Sequence, residues 1–534
     1  MKLYSTRNLN EVSNPKDAII KGLASDGGLY CPKIEDILDK KFDIKDLLSN
    51  DYKATAHLVF KTFFDDFTDE EINHCINAAY NDKNFDVGAN SASVGANSAS
   101  VGANACGART TITNLSPHTN IAPISKIGDN YLMELYHGPT SAFKDVALTI
   151  LPHFLTTAYK SKNENKKIYI LTATSGDTGK AALSGFKDVE NTFITVFYPT
   201  NGVSNIQKLQ MQTSDGENVS VIAVKGDFDD CQRLVKEIYT DENIKKLCND
   251  NNIVLSSANS INIGRLVPQI VYYIQSYIDL VNANEIKLND KINFVVPTGN
   301  FGDILAGFIA KLLGTPINKL ICASNDNNVL TDFINTGTYD RNRTLYKTIS
   351  PSMDILISSN LERLLFLLSN NDDKLVKTFM DELSEKGKYT VPKDLLDKIK
   401  NNFVAYFATE DECKETIKYA FEKEKRIIDT HTAVAYHCLK KYQMQNSVGA
   451  NACGARTTIL STASPYKFTR AVLKCICNDN IDTISDFDCI DKLHDITSEE
   501  IPKNLYELKN KKKRFDTVLT YEECKKFVIE KISK

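Results

Sequence analysis

The chain has 534 residues, of which 42% are apolar and 25% are charged, and its formal net charge at pH 7 is −4. The composition is typical of a globular protein, and the length is sufficient for roughly two to four domains. The nearly balanced charge gives no electrostatic footprint for nucleic acid or for an anionic membrane surface, and neither partner is expected.

The 13 cysteines are an odd number and lack the spacing of metal ligands. This pattern predicts reduced thiols in the cytoplasm rather than a disulfide framework, and it predicts no metal site. The first ten residues contain no apolar signal core, and no apolar run approaches the length that spans a membrane. The predicted location is therefore cytoplasmic.

Two low-complexity segments interrupt the chain. Residues 87–112 read VGANSAS twice and then VGANACGARTTI, and this last string recurs unchanged at 448–459. Segments of Gly, Ala, Ser and Asn have almost no side-chain volume to bury against the entropy cost of ordering. We therefore expect both to be surface loops inserted into a globular protein.

Residues 137–145 (HGPTSAFKD) set Lys144 in a tight turn of small and apolar residues. Burial lowers the pKa of a lysine and makes its neutral, nucleophilic amine available near pH 7. Pyridoxal phosphate chemistry begins with such an amine, which forms a Schiff base with the cofactor. The alternative is a solvated lysine beside a turn, and this segment alone does not decide between them.

Short apolar runs then alternate with helical patterns. Strands are predicted at 167–174, 192–198, 219–224, 253–256, 292–296, 320–323 and 403–407, and helices at 227–240, 263–280 and up to residue 313. Strands that alternate with helices of this length predict β-α-β units and parallel sheets. Residues 1–86 and 480–534 show weaker patterns and are expected to pack around that core.

Polar turns follow several of these strands, at the sheet edge where α/β proteins bind ligands. The turn at 174–179 (TSGDTG) suits an anion such as a substrate carboxylate, although a structural turn explains it equally well. In the turn at 257–265, Arg265 opposes the dipole of the following helix, which leaves a salt bridge or an anionic ligand as explanations. Thr462 ends the apolar run 458–460 and is expected at a strand tip.

The turn at 299–302 (GNFG) opens a helix, so its backbone N–H groups suit a phosphate. It is not a P-loop, because no G-K-[ST] follows, and it is not a dinucleotide fingerprint, because the G-x-G-x-x-G spacing is absent. A phosphate site without nucleotide machinery points to a small phosphorylated cofactor or substrate. A plain helix cap remains the alternative.

Taken in order, the segments LMELYHGPTSAFKDVAL, LTATSGDTGKAAL, SSANSINIGRLVPQ, VPTGNFGDILAG, HTAVAY and STASPYKF resemble the threonine synthases. These are fold type II pyridoxal phosphate (PLP) enzymes, so the resemblance implies a tryptophan synthase β-like α/β fold with two parallel-sheet domains and terminal additions. The domains implied are 1–86 (N-terminal), 87–115 (insert), 116–290 (lysine and substrate loop), 291–480 (phosphate cradle, with an insert at 447–457) and 481–534 (C-terminal extension).

The resemblance also implies roles for site residues. Lys144 is expected to form the Schiff base with pyridoxal 5'-phosphate. The cofactor would further be bound by Gly299, Asn300, Phe301, Asp303 and Thr462, the last facing the pyridine nitrogen. The substrate carboxylate would be bound by Ser175, Gly176, Asp177 and Thr178, and the substrate phosphate by Lys180, Asn259, Ser260 and Arg265.

The implied reaction converts O-phospho-L-homoserine and water to L-threonine and phosphate, the last step of threonine biosynthesis. An alternative is a PLP-dependent phospho-lyase that acts on phosphohomoserine or phosphothreonine and yields 2-oxobutyrate. A non-catalytic relative that keeps the fold is a second alternative. The expected protein is a monomer or homodimer with a small-molecule substrate.

Overall fold

The computed structural model describes residues 1–85, 114–116, 121–162, 166–201, 203–446, 455–477 and 479–533. Most of both low-complexity inserts lies outside these ranges. The end of the second insert does not, and there the surface-loop prediction is wrong, because Thr457–Ser461 form a buried strand that includes the last three residues of the repeated string. Cys106 and Cys453 lie outside the described ranges. Every cysteine within the described ranges is a free thiol, as the sequence predicts.

The N-terminal region is a small antiparallel sheet with helices beside it. Its elements are β1 (Leu3–Ser5), β2 (Asn8–Ser13), α1 (Pro15–Lys21), β3 (Tyr30–Cys31), α2 (Ile34–Leu38), α3 (Tyr52–Phe63) and α4 (Asp69–Ala79), with strand order β2-β1-β3. Local sequence sets the helix ends. Asn14 caps α1 through its side chain, and Thr68 and Glu71 form a capping box at the start of α4.

The central region alternates strands and helices. Its elements are β4 (Ile124–Ile127), β5 (Asn130–Glu134), α5 (Lys144–Leu148), α6 (Leu151–Lys160), β6 (Lys167–Ala173), α7 (Asp177–Phe186), β7 (Thr192–Pro199), α8 (Asn205–Gln212), β8 (Val219–Val224), α9 (Phe228–Thr240), α10 (Glu242–Asp250), β9 (Ile253–Ser256) and α11 (Ile263–Asn282). Asp227 caps α9, as its place before the apolar pattern predicts.

The remaining part of the chain continues the alternation and ends in short helices. It contains β10 (Ile292–Pro297), α12 (Gly302–Leu312), β11 (Ile317–Ser324), α13 (Val329–Thr336), β12 (Thr338–Asp340), α14 (Leu361–Leu368), α15 (Asp373–Lys386), β13 (Lys388–Thr390), α16 (Lys393–Asn402), β14 (Phe403–Phe407), α17 (Glu410–Glu422), α18 (Thr430–Asn446), β15 (Thr457–Ser461), α19 (Thr469–Ile476), α20 (Asp486–Thr497), α21 (Lys503–Tyr506), β16 (Val518–Leu519) and α22 (Tyr521–Ile532). Short 3₁₀ turns lie at Ile44–Leu47, Pro351–Met353, Pro465–Phe468 and Glu507–Asn510.

Two larger sheets carry the core. A five-stranded sheet has the order β16-β8-β7-β6-β9, and a six-stranded sheet has the order β14-β11-β10-β15-β5-β4. All pairs are parallel except β4 with β5, so the predicted parallel α/β architecture is confirmed. Helices alternate with the parallel strands, so the carboxyl ends of the strands meet helix N-termini at one edge of each sheet.

Strand pairing crosses the domain boundaries that were expected from the sequence. β4 and β5 precede the five-stranded sheet in the chain but join the six-stranded one, and β16 of the C-terminal extension pairs with β8. A local pattern specifies a strand but not its partner, which tertiary packing selects. Residues 137–145, which contain Lys144, therefore follow a strand of the six-stranded sheet (β5) and precede a strand of the five-stranded sheet (β6).

Helix α11 is the central helix of the core. It is buried from Ile263 to Leu280 and packs against α3, α5 and α12. It is buried although it carries polar residues such as Arg265, Gln269 and Asp279, and it connects α3 of the N-terminal region with α5 and α12. Within the described ranges, no helix has the length and apolar character needed to cross a membrane.

Candidate active site

The segment before Lys144, here called the lysine turn (residues 138–143), is fastened to the end of β15. The backbone N–H of Phe143 donates to the carbonyl of Thr462 over 2.8 Å, and that of Ser464 donates to the carbonyl of Ser141 over 3.1 Å. Two residues that are far apart in the chain, Lys144 and Thr462, are thus brought side by side, as the sequence hypothesis requires.

The side chain of Asp145 shapes the lysine turn. Its carboxylate accepts hydrogen bonds from the backbone N–H and hydroxyl of Thr140, at 2.8 and 2.6 Å. A Cβ on Gly138 would lie 2.4 Å from the Cβ of Asp145, so only glycine fits there. Ser141 adopts a left-handed conformation, with φ of 58°. The turn is therefore held in one shape by its own residues.

The amine of Lys144 lies in a polar pocket. Its side chain is 12% exposed, and its Nζ lies 3.3 Å from the hydroxyl of Ser352 and 3.8 Å from the carboxylate of Asp177. Burial lowers the pKa of Lys144 to about 8, with Asp177 opposing the change and the cations Lys467 and Arg265 adding to it. About a tenth of this amine is neutral at pH 7, and the neutral form is the one that acts as a nucleophile or base.

Asp177, the first residue of α7, binds two lysines. Its carboxylate is 3% exposed, lies 2.6 Å from the Nζ of Lys467 and accepts a hydrogen bond from the Gln207 amide over 2.8 Å. Burial alone would raise the pKa of Asp177, but Lys467 and Lys144 hold it well below its usual range. Because this ionised carboxylate would repel another, the geometry does not support the prediction that Asp177 itself binds the substrate carboxylate.

The rest of the turn at 174–179 is folded around one hydroxyl. The Oγ1 of Thr174 accepts hydrogen bonds from the backbone N–H groups of Gly176 and Gly179, at 3.0 and 2.9 Å. Gly176 has φ of 154°, and a Cβ there would lie 2.6 Å from the Gln207 amide. Ser175 and Thr178 are half-buried at the N-terminus of α7. Their binding of the substrate carboxylate stays a prediction.

The predicted phosphate turn, residues 299–302, opens α12. Phe301 takes the left-handed conformation at the helix cap, with φ of 61°. A Cβ on Gly299 would lie 2.6 Å from the carbonyl oxygen of Ser352, so glycine is required there. The Ser358 hydroxyl donates to the carbonyl of Gly299 over 2.7 Å. The backbone is thus shaped into a cradle beside the residue that contacts Lys144.

The side chain of Asp303 contacts α11. Its Oδ1 accepts hydrogen bonds from the hydroxyls of Tyr272 and Tyr273, at 2.6 and 2.9 Å. Burial raises the pKa of Asp303 to about 6, although both tyrosines oppose the change. Its carboxylate therefore serves the packing of α11 on α12. What Asp303 offers a phosphate is its backbone N–H in the first turn of α12.

Arg265 lies buried near Lys144 and is incompletely paired. One terminal nitrogen donates to the carbonyl of Ala258 over 2.5 Å, whereas the buried Nε has no partner. Within the described ranges no carboxylate lies at ion-pair distance from Arg265, so the salt-bridge explanation finds no support. The neighbouring loop is joined to the phosphate turn by Asn360, whose amide donates to the carbonyls of Ser260 and Asn300. These contacts favour an anionic ligand here.

The other residues predicted to bind the substrate phosphate are placed less favourably. The Nζ of Lys180 donates to the hydroxyl of Ser214 over 3.0 Å, and its cationic neighbour is Lys511 of the C-terminal extension. Asn259 lies half-buried, and its backbone N–H donates to the hydroxyl of Ser257 over 3.2 Å. Their phosphate-binding roles stay predictions, and Lys180 has the weaker case because its ammonium already has a partner.

Sequence reasoning assigned no role to three residues that contact this centre: Ser352, His431 and Lys467. The ring Nε2 of His431 accepts the backbone N–H of Ser352 over 3.1 Å, and its Nδ1 lies 2.9 Å from the carboxylate of Asp429. Since Nε2 accepts, the ring proton is on Nδ1 and faces Asp429. The motifs HTAVAY and STASPYKF contain two of these residues, but the direction of a loop side chain leaves no periodic signal.

Comparison with known proteins identifies the family. Residues 111–461 match the model for pyridoxal-phosphate dependent enzymes, and residues 2–80 match that for the threonine synthase N terminus. The chain is 34% identical to threonine synthase of Saccharomyces cerevisiae over 86% of its own length and 87% of that protein. It superposes on the PLP-bound threonine synthase of Brucella melitensis with a TM-score of 0.79 and 32% identity, covering 100% of this chain and 99% of that one.

The chain belongs to the threonine synthase family of pyridoxal-phosphate dependent enzymes. This confirms the resemblance, the fold type II class and the cofactor, pyridoxal 5'-phosphate, that were expected from the sequence. The chain is also 37% identical to human threonine synthase-like 1 over 86% of its length, but it spans only 58% of that protein.

The described residues fit this cofactor. A phosphate suits the glycine turn, where a Cβ on Gly299 would lie 2.6 Å from the backbone oxygen of Ser352. The amine of Lys144, which is partly neutral near pH 7, contacts the hydroxyl of Ser352, the residue whose backbone lies against the same turn. Lys144, Gly299, Asn300, Phe301 and Thr462 are thus the residues that would bind the cofactor.

Proposed function

We propose that this chain is a threonine synthase, a carbon–oxygen lyase that converts O-phospho-L-homoserine and water to L-threonine and phosphate. The observation that carries the proposal is the convergence of four separate loops on the amine of Lys144. Hydrogen bonds and an ion pair join the lysine turn, the turn at 174–179 and the tip of β15. The phosphate turn lies beside them through Ser352, which contacts both Lys144 and Gly299.

When bound, pyridoxal phosphate supplies a ring that withdraws electrons from the carbon atoms of an amino-acid substrate. The protein has to move protons and to exclude water until it is needed. Lys144 is the amine placed for that work: it would accept the proton from the substrate Cα and release it, and would then accept one from Cβ and return it to Cγ after the phosphate has left. Ser352 and Asp177 orient its Nζ.

The remaining residues would bind the two anionic groups of the substrate. The N-terminus of α7, with Ser175 and Thr178, would bind the substrate carboxylate through backbone N–H groups and hydroxyls. Arg265 would bind the substrate phosphate, because its unpaired Nε can donate a hydrogen bond to the leaving anion as the C–O bond at Cγ breaks. Thr462 would present a neutral hydroxyl to the pyridine nitrogen.

The test is a product assay with purified protein, phosphohomoserine and PLP, in which threonine and phosphate are measured together. The proposal predicts both products in equal amounts, and neither from Lys144→Ala. A matched control is Lys311→Ala, which removes another partly buried lysine from a site on α12. Phosphate with 2-oxobutyrate but without threonine would instead identify the phospho-lyase. No product from a protein that binds PLP would contradict both enzymes.

Two further proposals concern the state of the protein in the cell. We propose a cytoplasmic location, which the free thiols of the described cysteines support. A monomer or homodimer that acts on a small molecule, without nucleic acid, also stays a proposal. Light scattering of the purified chain tests the oligomeric state, and a higher oligomer would contradict it.

A further inference from the structure

Lys467 is a fully buried lysine that the proposed reaction does not use. It lies in the 3₁₀ turn Pro465–Phe468, just beyond Thr462, and its side chain is 0% exposed. Its Nζ donates to the carbonyl of Thr140 over 2.9 Å and lies 2.6 Å from the Oδ1 of Asp177. A lysine is almost never fully buried unless it is paired, so these two contacts hold its ammonium inside the protein.

Two lysines share the single carboxylate of Asp177. Lys467 lies 2.6 Å from one oxygen, whereas Lys144 lies 3.8 Å from the other. The further charged groups that act on Lys144 are Arg265 and Asp145. The carboxylate of Asp145 is already bonded by Thr140, and Arg265 adds positive charge.

Two protonated lysines on one carboxylate would leave a net positive charge in a buried site, where Arg265 adds more. A low dielectric makes that arrangement unfavourable, so one lysine tends to lose its proton. Lys467 has the shorter ion pair and the carbonyl of Thr140, while Lys144 has one long ion pair and a hydroxyl at 3.3 Å. Lys144 is therefore the lysine that loses its proton more readily.

We propose that Lys467 is a positioning residue that favours the neutral form of Lys144, because it occupies the carboxylate that would otherwise stabilise the Lys144 ammonium. Through Thr140, the same ammonium ties the lysine turn to the first turn of α7. The inference rests on the proposed function for its meaning in catalysis. Its test reads the titration of one amine and needs no turnover.

The test is competitive acetylation of the full-length chain, freed of bound aldehyde with hydroxylamine. Brief labelling over a neutral to alkaline pH series, followed by mass spectrometry of the peptide that contains Lys144, gives the midpoint at which this amine becomes reactive. In the wild type the midpoint is expected near 8. Lys467→Gln keeps a donor for the Thr140 carbonyl but removes the charge, and should raise the midpoint, with roughly tenfold or greater loss of labelling at neutral pH.

Lys467→Arg should restore labelling toward the wild type, because it keeps the charge. Lys311 serves as an internal reference, since burial lowers its pKa to about 8 as well and its Nζ contacts the carbonyl of Asn318 instead. Its midpoint should be the same in every variant, and Lys311→Gln should leave Lys144 unchanged.

An unchanged or lower Lys144 midpoint in Lys467→Gln would overturn the inference. Circular dichroism checks that the variant is folded, and Lys467→Met, which removes the charge with an apolar chain, serves if the glutamine variant is not. A raised midpoint in a chain that makes no threonine would support the role of Lys467 and contradict the proposed function, so the two failures are distinguishable.

Discussion

Replacing Asp177 with asparagine is the perturbation whose effect follows most directly from the charges around Lys144. The carboxylate is 3% exposed and is the counter-ion of two lysines, at 2.6 and 3.8 Å. Asparagine has nearly the same shape and can still contact the Gln207 amide. The change therefore removes one negative charge with little change in volume.

The distance between Lys144 and Asp177 sets the magnitude. Two unit charges 3.8 Å apart attract by about 4 kcal/mol at an effective dielectric constant near 20. That energy corresponds to at most about a thousandfold change in the proton affinity of the amine. Water that enters the site will reduce the effect, so we expect the proton affinity of Lys144 to fall between roughly tenfold and a thousandfold.

The same substitution should also destabilise the fold. Lys467 would remain fully buried with the Thr140 carbonyl and the new amide oxygen as acceptors, but without the negative charge that balances its ammonium. Removing one member of a buried ion pair costs about 3–5 kcal/mol, because an uncompensated charge is left in the interior. The free energy of unfolding in urea measures this cost. Lys311→Gln is the reference variant, since the Lys311 ammonium contacts a backbone carbonyl and its removal leaves no buried charge unpaired.

Competitive acetylation measures the first effect. Asp177→Asn should move the Lys144 midpoint below the wild-type value, so that labelling at neutral pH increases. The direction is opposite to that expected for Lys467→Gln, although both variants remove one charge from the same ion pair. A midpoint that rises in Asp177→Asn, or stays where it is, would refute the electrostatic reasoning.

Three further outcomes are expected. Gly299→Ala should weaken PLP binding by roughly tenfold or more, since its Cβ would lie 2.6 Å from the backbone oxygen of Ser352. Gly302→Ala is the control, because its Cβ would meet only the side-chain amide of Asn360, at 3.3 Å, and it should bind PLP more nearly normally. Equal affinities of the two variants in an absorbance titration would contradict this. Asn504→Ala removes three hydrogen bonds to the lysine turn and should lower the free energy of unfolding by about 1–3 kcal/mol in urea, and an unchanged value would count against that contact. The rate of PLP loading should rise with pH through about 8, where half of the Lys144 amine is neutral, and should level off roughly one pH unit higher. A rate that falls over this range would argue against a neutral amine as the nucleophile.

Much of the fold was predictable from local patterns. The apolar runs indicated the parallel strands, and Asp227 indicated the start of α9. Both signals are local, because the hydrophobic periodicity of a strand or helix can be seen within a short stretch of sequence. The pairing of β5 with β15 and of β8 with β16 was not predictable, since each joins segments hundreds of residues apart. Partner choice depends on tertiary packing, which a local pattern does not contain.

For the candidate site, too, some features could be predicted from the sequence and others could not. Glycines at turns and a lysine in a small-residue segment were visible, because turn geometry and burial restrict residue type. The direction of side chains in loops was not visible. Asp303 therefore proved to face two tyrosines, Lys180 to face Ser214, and Lys467 to lie at the centre without having been noticed.

The measurement that tests the central claim most directly is to identify the lysine that binds the cofactor. The full-length chain is mixed with PLP and reduced with borohydride, and its peptides are analysed by mass spectrometry. We expect the pyridoxyl label on Lys144, and its loss in Lys144→Ala. A label on Lys467 or Lys180 instead, or a chain that takes no label at all, would contradict the assignment of Lys144.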